Sequence, residues 1–146
     1  RTSQNWVQEP GPYRGRALNP AAYLVAREAI ADDVIDGYAI PAHDLIFISP
    51  FVTHRDPKYW PDPERFDPDR FTAEQIAHRP RHFYFPFGEG PHVCIGNNFA
   101  LMEMQLILAL ALQRFRLKLV PDHPIAFKPE ATLRPKYGMK MTVEAI

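Results

Sequence analysis

One cysteine carries most of the chemistry that this sequence offers. Cys94 is the only cysteine among the 146 residues, and glycines 88, 90 and 96 flank it. We expect Gly88 and Gly90 to adopt positive φ, and Gly96 to let backbone or a flat cofactor approach closely. An apolar segment, predicted to be a helix over residues 97–117, follows at once. Because the free N–H groups of a helix N-terminus favour a thiolate, the arrangement suits presentation of one sulfur to a metal.

Other roles for this cysteine compete with metal binding. A lone cysteine is usually a small buried hydrophobe, and an intrachain disulfide is excluded because there is no second cysteine. A structural zinc site needs four Cys or His ligands at regular spacings. A nucleophilic cysteine needs an orienting histidine and a third group; His92 is two residues away, which does not guarantee that geometry. A single thiolate is also one of the known proximal ligands of haem iron.

The loop must be held by elements that the sequence predicts in outline. Strands are expected over residues 23–30 and 45–49, which are rich in apolar residues. Asp32 and Asp33 should turn the chain so that residues 34–35 pair back, and Gly37 should turn it again. Further strands are predicted near the C-terminus, over residues 115–120 and as a hairpin of residues 132–134 with 139–143.

The remaining segments are predicted to be irregular or helical. Residues 54–71 alternate proline and aspartate and should wander without regular structure. Thr72 to Gln75 has the pattern of a capping box that opens a short helix. The helix over residues 97–117 is apolar all round, which is typical of a helix buried on all sides. His43, His54, His78, His82 and His123 show no ligand spacing and are expected at the surface or in loops.

Two segments carry a resemblance to a known family. The loop reads F-x-x-G-x-H-x-C-x-G and resembles the haem-binding signature of the cytochrome P450 family of haem-thiolate monooxygenases; Phe99, Ala100 and Glu103 continue the match into the helix. Residues 54–71 look like the family's meander segment, with a Pro-Glu-Arg-Phe element at 63–66. The resemblance covers residues 20–146.

The resemblance implies an α+β fold, namely the C-terminal part of the cytochrome P450 fold: meander and loops, a long buried helix and small sheets or hairpins. It implies haem b as cofactor, with Cys94 as metal ligand and catalytic residue. Arg27 and His92 would lie beside the haem propionates. The residues that would bind the cofactor are Arg27, Pro86, Phe87, Gly88, Gly90, His92, Val93, Cys94, Ile95, Gly96, Phe99 and Ala100. Those that would contact substrate are Ala22, Tyr23, Leu24, Val25, Thr132 and Leu133.

The activity implied by the resemblance is insertion of one oxygen atom of O2 into an apolar small-molecule substrate. A redox partner, a ferredoxin or a flavoprotein reductase, would deliver electrons on the proximal face near the Cys94 loop. The alternative is an inert fragment that binds haem or does not, because the family's distal helix with its acid–threonine pair is not found in this sequence.

The N-terminal residues do not match the family pattern. Residues 1–19 contain Pro10, Gly11, Pro12 and Gly15, which break any helical period, and they are expected to be loose. The chain contains no Glu-x-x-Arg, the pair that Arg65 would help to lock, so Arg65 is expected to be a buried arginine without partners. Self-association, or a further N-terminal polypeptide, is expected to supply the family segments that this sequence lacks.

Composition excludes several classes of partner. Lys plus Arg and Asp plus Glu both number 17, which removes the electrostatic case for nucleic acid or an acidic membrane surface. The longest apolar stretch, residues 104–112, is shorter than the roughly 20 residues that span a bilayer. The start has no charged-then-apolar leader, and one cysteine argues against a secreted disulfide framework. A cytoplasmic protein is therefore expected.

Overall fold

Two strand pairs form the first part of the computed structural model, which describes residues 18–146. The strands are β1 (Val25–Glu28), β2 (Asp33–Ile35), β3 (Tyr38–Ile40) and β4 (Leu45–Ile48). β1 pairs antiparallel with β4, and the β2–β3 hairpin is inserted between them in sequence. The predicted strands are confirmed, but residues 34–35 pair with β3 and not back onto β1. The cause is the Asp36-Gly37 turn, whose φ values of 50° and 83° are both positive, as a two-residue type I′ hairpin requires.

A short helix ties β4 to the segment before β1. α1 (Pro50–Thr53) begins with proline at N1, where no N–H is needed. The Ser49 hydroxyl accepts a hydrogen bond from the Val52 N–H at 3.3 Å and donates one to the Tyr23 carbonyl at 2.8 Å. One side chain therefore caps the helix and holds the chain entering β1.

Residues 54–71 are irregular, as predicted, apart from a 3₁₀ helix over Pro68–Phe71. This segment nevertheless supplies three buried side chains: His54, Trp60 and Phe71 are 1 %, 2 % and 6 % exposed. With Tyr59 and Tyr84 they form what we name the aromatic cluster. Phe71 and Tyr84 pack edge to face with ring centroids 5.0 Å apart. The core here consists of rings and not of a sheet or helix face.

Arginines hold the irregular backbone around the aromatic cluster. Arg70 donates to the carbonyl oxygens of Pro61 and Asp62, both at 2.6 Å, and of Arg65 at 3.2 Å. Arg79 donates to the Arg70 carbonyl at 2.7 Å and its guanidinium carbon lies 3.9 Å from the Trp60 ring centroid. Partial burial lowers the pKa of Arg79 below its ordinary value, Arg70 adds to the effect, and Tyr84 opposes it.

The expectation for Arg65 was wrong. Its side chain is 65 % exposed and forms an ion pair with Asp67 at 3.3 Å. A solvated arginine carries no burial cost, so nothing in the meander needs to pair with it. Arg70, five residues later, is the arginine that organises this segment.

The second half of the chain runs from helix to paired strands. α2 (Ala73–His78) begins at Thr72, whose hydroxyl accepts from the Gln75 N–H at 3.4 Å, so the predicted helix start is confirmed. The longest described helix is α3 (Asn97–Arg114), which ends because Phe115 is extended, with φ −136° and ψ 143°. The strands that follow are β5 (Phe115–Leu119), β6 (Phe127–Pro129), β7 (Leu133–Pro135) and β8 (Met141–Ala145).

The C-terminal hairpin was predicted with the wrong partners. β7 pairs with β6, and β8 returns to pair antiparallel with β5, where Phe115 lies opposite Ala145. The two pairs are therefore nested. Alternation in residues 132–143 correctly indicated strands, but it contains no information about which strand lies alongside.

The apolar helix α3 is exposed and not buried. None of its side chains is fully buried in the described structure, and Phe99, Leu106 and Leu110 are 64 %, 56 % and 58 % exposed. Apart from its junction with β5, it makes at most marginal contacts with the other described helices and strands. Within residues 18–146 the helix therefore lacks the covering elements that its all-round apolar pattern requires. No helix among the described residues is long and apolar enough to cross a membrane.

We expect the 146-residue chain, taken alone, to associate in solution. Burying a Leu or Ile side chain is worth about 1.5–3 kcal/mol, and α3 exposes several. Light scattering should therefore give a mass above that of a monomer at micromolar concentration. Leu106→Glu should reduce the association constant at least tenfold.

A matched control is available on the β2–β3 hairpin. Val34 is 66 % exposed and Leu106 is 56 % exposed, so Val34→Glu makes a similar change away from the helix and should leave the mass unchanged. A monodisperse wild-type monomer that unfolds cooperatively would contradict the expectation.

Candidate functional site

The loop that carries Cys94 is closed by backbone hydrogen bonds. The Cys94 N–H donates to the Phe87 carbonyl at 2.9 Å, and the Gly88 N–H donates to the Phe85 carbonyl at 3.0 Å. A single 3₁₀ turn, Gly90–His92, lies inside the loop. These bonds fold residues 85–94 back on themselves and leave the cysteine exposed.

Glycines permit this path, as the sequence predicts. Gly88 and Gly90 have φ of +73° and +70°, values that side chains with a Cβ rarely adopt. A Cβ on Gly88 would lie 3.4 Å from the His92 carbonyl oxygen. Gly96 has no positive φ, and a Cβ there would lie 3.9 Å from Cys94 Sγ. Gly96 therefore keeps the surroundings of the sulfur open.

The positive end of α3 begins next to the sulfur. The helix starts at Asn97, three residues after Cys94, with Gly96 as its N-cap and no acidic residue in its first turn. The Asn97 N–H donates to the Cys94 carbonyl at 3.3 Å. Within residues 18–146 the N–H groups of Ile95 and Gly96 donate no backbone hydrogen bond. Two backbone donors of the loop are therefore available beside the N-terminus of α3.

Uncovered apolar side chains flank the thiol along the chain. Ile95 is 103 % exposed, Phe99 is 64 % exposed and Val93 is 46 % exposed. Pro86, Phe87 and Ala100, in the loop and the first turn of α3, are half-buried. An apolar face with one soft sulfur ligand fits a flat hydrophobic metal complex. The complex would cover the apolar side chains, and the thiolate would bind its metal.

The structure brings Arg27 to the same region. An open cleft of about 240 Å³ is lined by Val25, Arg27 and Ile48 of β1 and β4 and by Phe85 and Gly88 of the loop. Arg27 is half-buried, and the only hydrogen bond of its side chain among the described residues goes to the neighbouring Ala26 carbonyl, at 2.8 Å. No carboxylate of residues 18–146 forms an ion pair with it. The guanidinium can therefore donate hydrogen bonds to a carboxylate group of a ligand.

A contact between His82 and Glu89 lies where this cleft meets a larger one. His82 Nδ1 and Glu89 Oε1 lie 2.7 Å apart, and both residues line the two clefts. The larger cleft, about 530 Å³, also contains Phe71, Ile76, Arg79 and Tyr84. Cys94 lines neither cleft. The smaller one is the better candidate for ligand binding because it contains Arg27 and the base of the loop.

The residues predicted to contact substrate come from two separate segments that meet. The Leu133 N–H donates to the Ala21 carbonyl at 2.8 Å, which places the start of β7 beside residues 21–25. Ala22 and Leu24 are exposed, while Tyr23, Val25, Thr132 and Leu133 are half-buried. Thr132 Oγ1 accepts a hydrogen bond from Arg134 at 3.1 Å.

Two residues with clear structural roles were missed by sequence reasoning. His54 was expected at the surface or in a loop, yet it is 1 % exposed, and its Nε2 accepts the Phe85 N–H at 3.1 Å. Arg70 was not singled out. Both lie in the proline-rich stretch 54–71, whose polar composition predicts exposure, so the sequence gives no signal for either. His43, His78 and His82 are exposed as expected, and His123 is half-buried in a loop.

Among residues 18–146, no three or more His, Cys, Asp or Glu side chains come together in a way that could hold a metal ion.

Comparisons with known proteins agree on one family. The family model described as Cytochrome P450 matches residues 16–143. Cytochrome P450 132 of Mycobacterium tuberculosis is 44 % identical over 119 residues, covering 82 % of this chain and 26 % of the relative. Human cytochrome P450 4F2 is 43 % identical over 131 residues, covering 88 % and 25 %. Pig thromboxane-A synthase is 37 % identical over 145 residues, covering 94 % and 27 %.

Solved structures give the same result. A crystal structure of a cytochrome P450, CYP102L1, superposes with a TM-score of 0.86 at 28 % identity, covering 99 % of this chain and 32 % of that one. The retinoic acid-bound cyanobacterial CYP120A1 superposes with a TM-score of 0.85 at 30 % identity, covering 100 % and 35 %. The chain thus spans about a quarter of the length of the curated relatives it matches. It has the α+β architecture of the C-terminal part of their fold, and it belongs to the cytochrome P450 family, whose cofactor is haem.

Proposed function

We propose that Cys94 is the protein ligand of a haem iron, and that the complete protein is a haem-thiolate monooxygenase that inserts one oxygen atom of O2 into an apolar substrate. The observation that carries the proposal is the placement of the only thiol of this chain. It is exposed on a closed glycine loop, three residues before the N-terminus of α3, within an uncovered apolar face.

The chain's own residues would hold the sulfur in its reactive form. The haem supplies O2 activation when bound, and a thiolate ligand favours O–O cleavage. The N–H groups of Ile95 and Gly96 are free to donate to Sγ within the described structure. Such hydrogen bonds orient the ligand and tune the metal. The dipole of α3 adds to the same effect.

Other residues would bind the periphery of the cofactor. Arg27, which has no carboxylate partner among the described residues, would donate to one haem propionate, and the exposed His92 would donate to the other. The apolar neighbours of Cys94 would cover the ring, and these are Pro86, Phe87, Val93, Ile95, Phe99 and Ala100. Haem b, and not a c-type haem, fits this assignment, because c-type attachment uses a Cys-x-x-Cys-His motif and this chain has one cysteine.

Substrate and electrons would arrive at different places. An apolar substrate would contact two segments that the Leu133–Ala21 hydrogen bond joins. The residues are Ala22, Tyr23, Leu24 and Val25 in the first segment and Thr132 and Leu133 in the second. A redox partner, either a ferredoxin or a flavoprotein reductase, would dock near the exposed Cys94 loop, from which the sulfur offers a short path to the metal.

A second candidate function is haem binding without catalysis. The exposure of the residues around Cys94 to solvent favours it for these 146 residues alone. Ile95 is 103 % exposed and the cleft beside Arg27 is open. Reactive oxygen chemistry needs a site that excludes bulk water. The two candidates differ in product formation and agree on ligation by Cys94.

The ligation is tested by carbon monoxide. We expect the chain, reconstituted with haem, reduced and exposed to carbon monoxide, to show the long-wavelength Soret band of thiolate ligation, because Cys94 is the only thiol. Cys94→Ala should abolish that band, whereas His92→Ala should keep it. A wild-type spectrum without the shifted band would contradict the assignment.

Catalysis by these residues alone should be uncoupled. With haem, a surrogate reductase and O2 supplied, we expect peroxide release and no hydroxylation of a panel of fatty acids, terpenes and aromatics, since the site is open to water. The assay compares product with peroxide by mass spectrometry and a colorimetric peroxide test. Hydroxylation of any panel member that disappears with Cys94→Ala would overturn this expectation.

The glycines of the loop should differ in their tolerance of a side chain. Gly88→Ala forces a Cβ into positive φ against the His92 carbonyl, and left-handed backbone costs about 1–2 kcal/mol for a residue with a Cβ. Gly96→Ala, the matched control, keeps ordinary φ and meets Sγ only at van der Waals distance. Urea unfolding should therefore show the larger loss for Gly88→Ala. Equal losses would mean that the loop relaxes around Gly88.

A further inference from the structure

We propose that His54 is a positioning residue for the thiolate: its neutral imidazole accepts the Phe85 N–H and thereby fixes the start of the loop that carries Cys94. The consequence for iron ligation rests on the proposed function, whereas the consequence for the loop does not. His54 lies 31 residues before Phe85, so the bond joins the meander to the loop.

The hydrogen bond defines the state of the imidazole. The Phe85 N–H lies 3.1 Å from His54 Nε2, and a backbone N–H can only donate. Nε2 must therefore carry a lone pair, which places the proton of the neutral ring on Nδ1. Burial to 1 % exposure disfavours the charged form, which could not accept this bond.

The aromatic cluster holds the ring of His54 in place. Its centroid lies 5.7 Å from that of Trp60, 5.2 Å from that of Tyr84 and 5.4 Å from that of Phe85. The acceptor is therefore rigid, because the rings around it restrict its rotamers. A rigid acceptor can fix the backbone that donates to it.

Three hydrogen bonds connect this acceptor to the cysteine. His54 accepts the Phe85 N–H, the Phe85 carbonyl accepts the Gly88 N–H at 3.0 Å, and the Phe87 carbonyl accepts the Cys94 N–H at 2.9 Å. The first bond anchors the start of the loop, and the last anchors the residue that bears the sulfur. Displacement of Phe85 would therefore move the carbonyl of Phe87 and, with it, Cys94.

Packing alone does not explain a histidine at this position. A phenylalanine has a similar shape and suits the aromatic cluster better than an imidazole does. It would, however, leave the Phe85 N–H without its acceptor, and such a half-buried donor loses the hydrogen bond outright. Glutamine places a side-chain oxygen close to the position of Nε2 and keeps an acceptor. Comparing His54→Phe with His54→Gln therefore distinguishes the effect of losing the hydrogen-bond acceptor from the effect of changing the packing.

The first test uses backbone hydrogen exchange in the chain without haem. His54→Phe should accelerate exchange at the Phe85 amide at least tenfold relative to the Ala29 amide, which donates to the Asp44 carbonyl in the β1–β4 region. His54→Gln should restore most of the protection. His78→Phe, at an exposed histidine, is the matched control and should change neither amide.

The second test uses the carbon monoxide spectrum of the haem-loaded chain. His54→Phe should lower the fraction of the thiolate-type Soret band at least threefold, and His54→Gln should keep more than half of it. If no variant shows that band, the proposed function fails, and exchange at Phe85 alone decides the role of His54.

Three results would overturn the proposal. The first is unchanged Phe85 exchange in His54→Phe. The second is equal acceleration of Phe85 and Ala29, which would mean global destabilisation. The third is a folded His54→Gln chain in which the Phe85 amide exchanges as fast as it does in His54→Phe. If His54→Phe does not fold, loss of protection at the Phe85 amide in a folded His54→Gln chain would overturn the proposal in the same way.

Discussion

The hydrogen bond from the Cys94 N–H to the Phe87 carbonyl, 2.9 Å long, is the constraint on which the site depends. It closes a loop that glycine follows without strain at positions 88 and 90, where φ is +73° and +70°. It also sets the sulfur three residues before the start of α3, next to the N–H groups of Ile95 and Gly96, which donate no backbone hydrogen bond within the described structure. The closed loop, the backbone conformation of its glycines and the start of α3 together determine the position of one atom, Sγ.

Rigidity at this site comes from side chains and not from a sheet. The meander has almost no regular backbone hydrogen bonding, yet His54, Trp60 and Phe71 are its best-buried residues. Arg70 binds three backbone carbonyls, and Arg79 stacks on Trp60 at 3.9 Å. The aromatic cluster does contain an imperfection, because the buried Trp60 Nε1 has no acceptor among the described residues, which costs about 1–3 kcal/mol. An irregular segment can thus anchor a loop when rings and guanidinium groups fix its path.

The sequence predicts the features that arise locally. Cys94, the positive φ of Gly88 and Gly90, the start of α3 and the Thr72 helix cap all follow from residues a few positions apart. Features made by distant residues were not predictable in the same way. His54 and Phe85 are 31 positions apart, and β8 pairs with β5 across an inserted hairpin. The apolar pattern of α3 indicates that the helix needs cover, but it does not say what supplies it.

Vibrational spectroscopy tests the central claim, ligation of iron by Cys94, most directly. The chain has one cysteine, so protein made with ³⁴S-cysteine, with its methionines at natural abundance, carries the isotope at one position. Resonance Raman spectra of the ferric haem-loaded chain should contain an iron–sulfur stretching band that moves to lower frequency with ³⁴S. A haem-loaded chain whose low-frequency bands are all insensitive to the isotope would contradict the account, because its iron would then be held by some other residue.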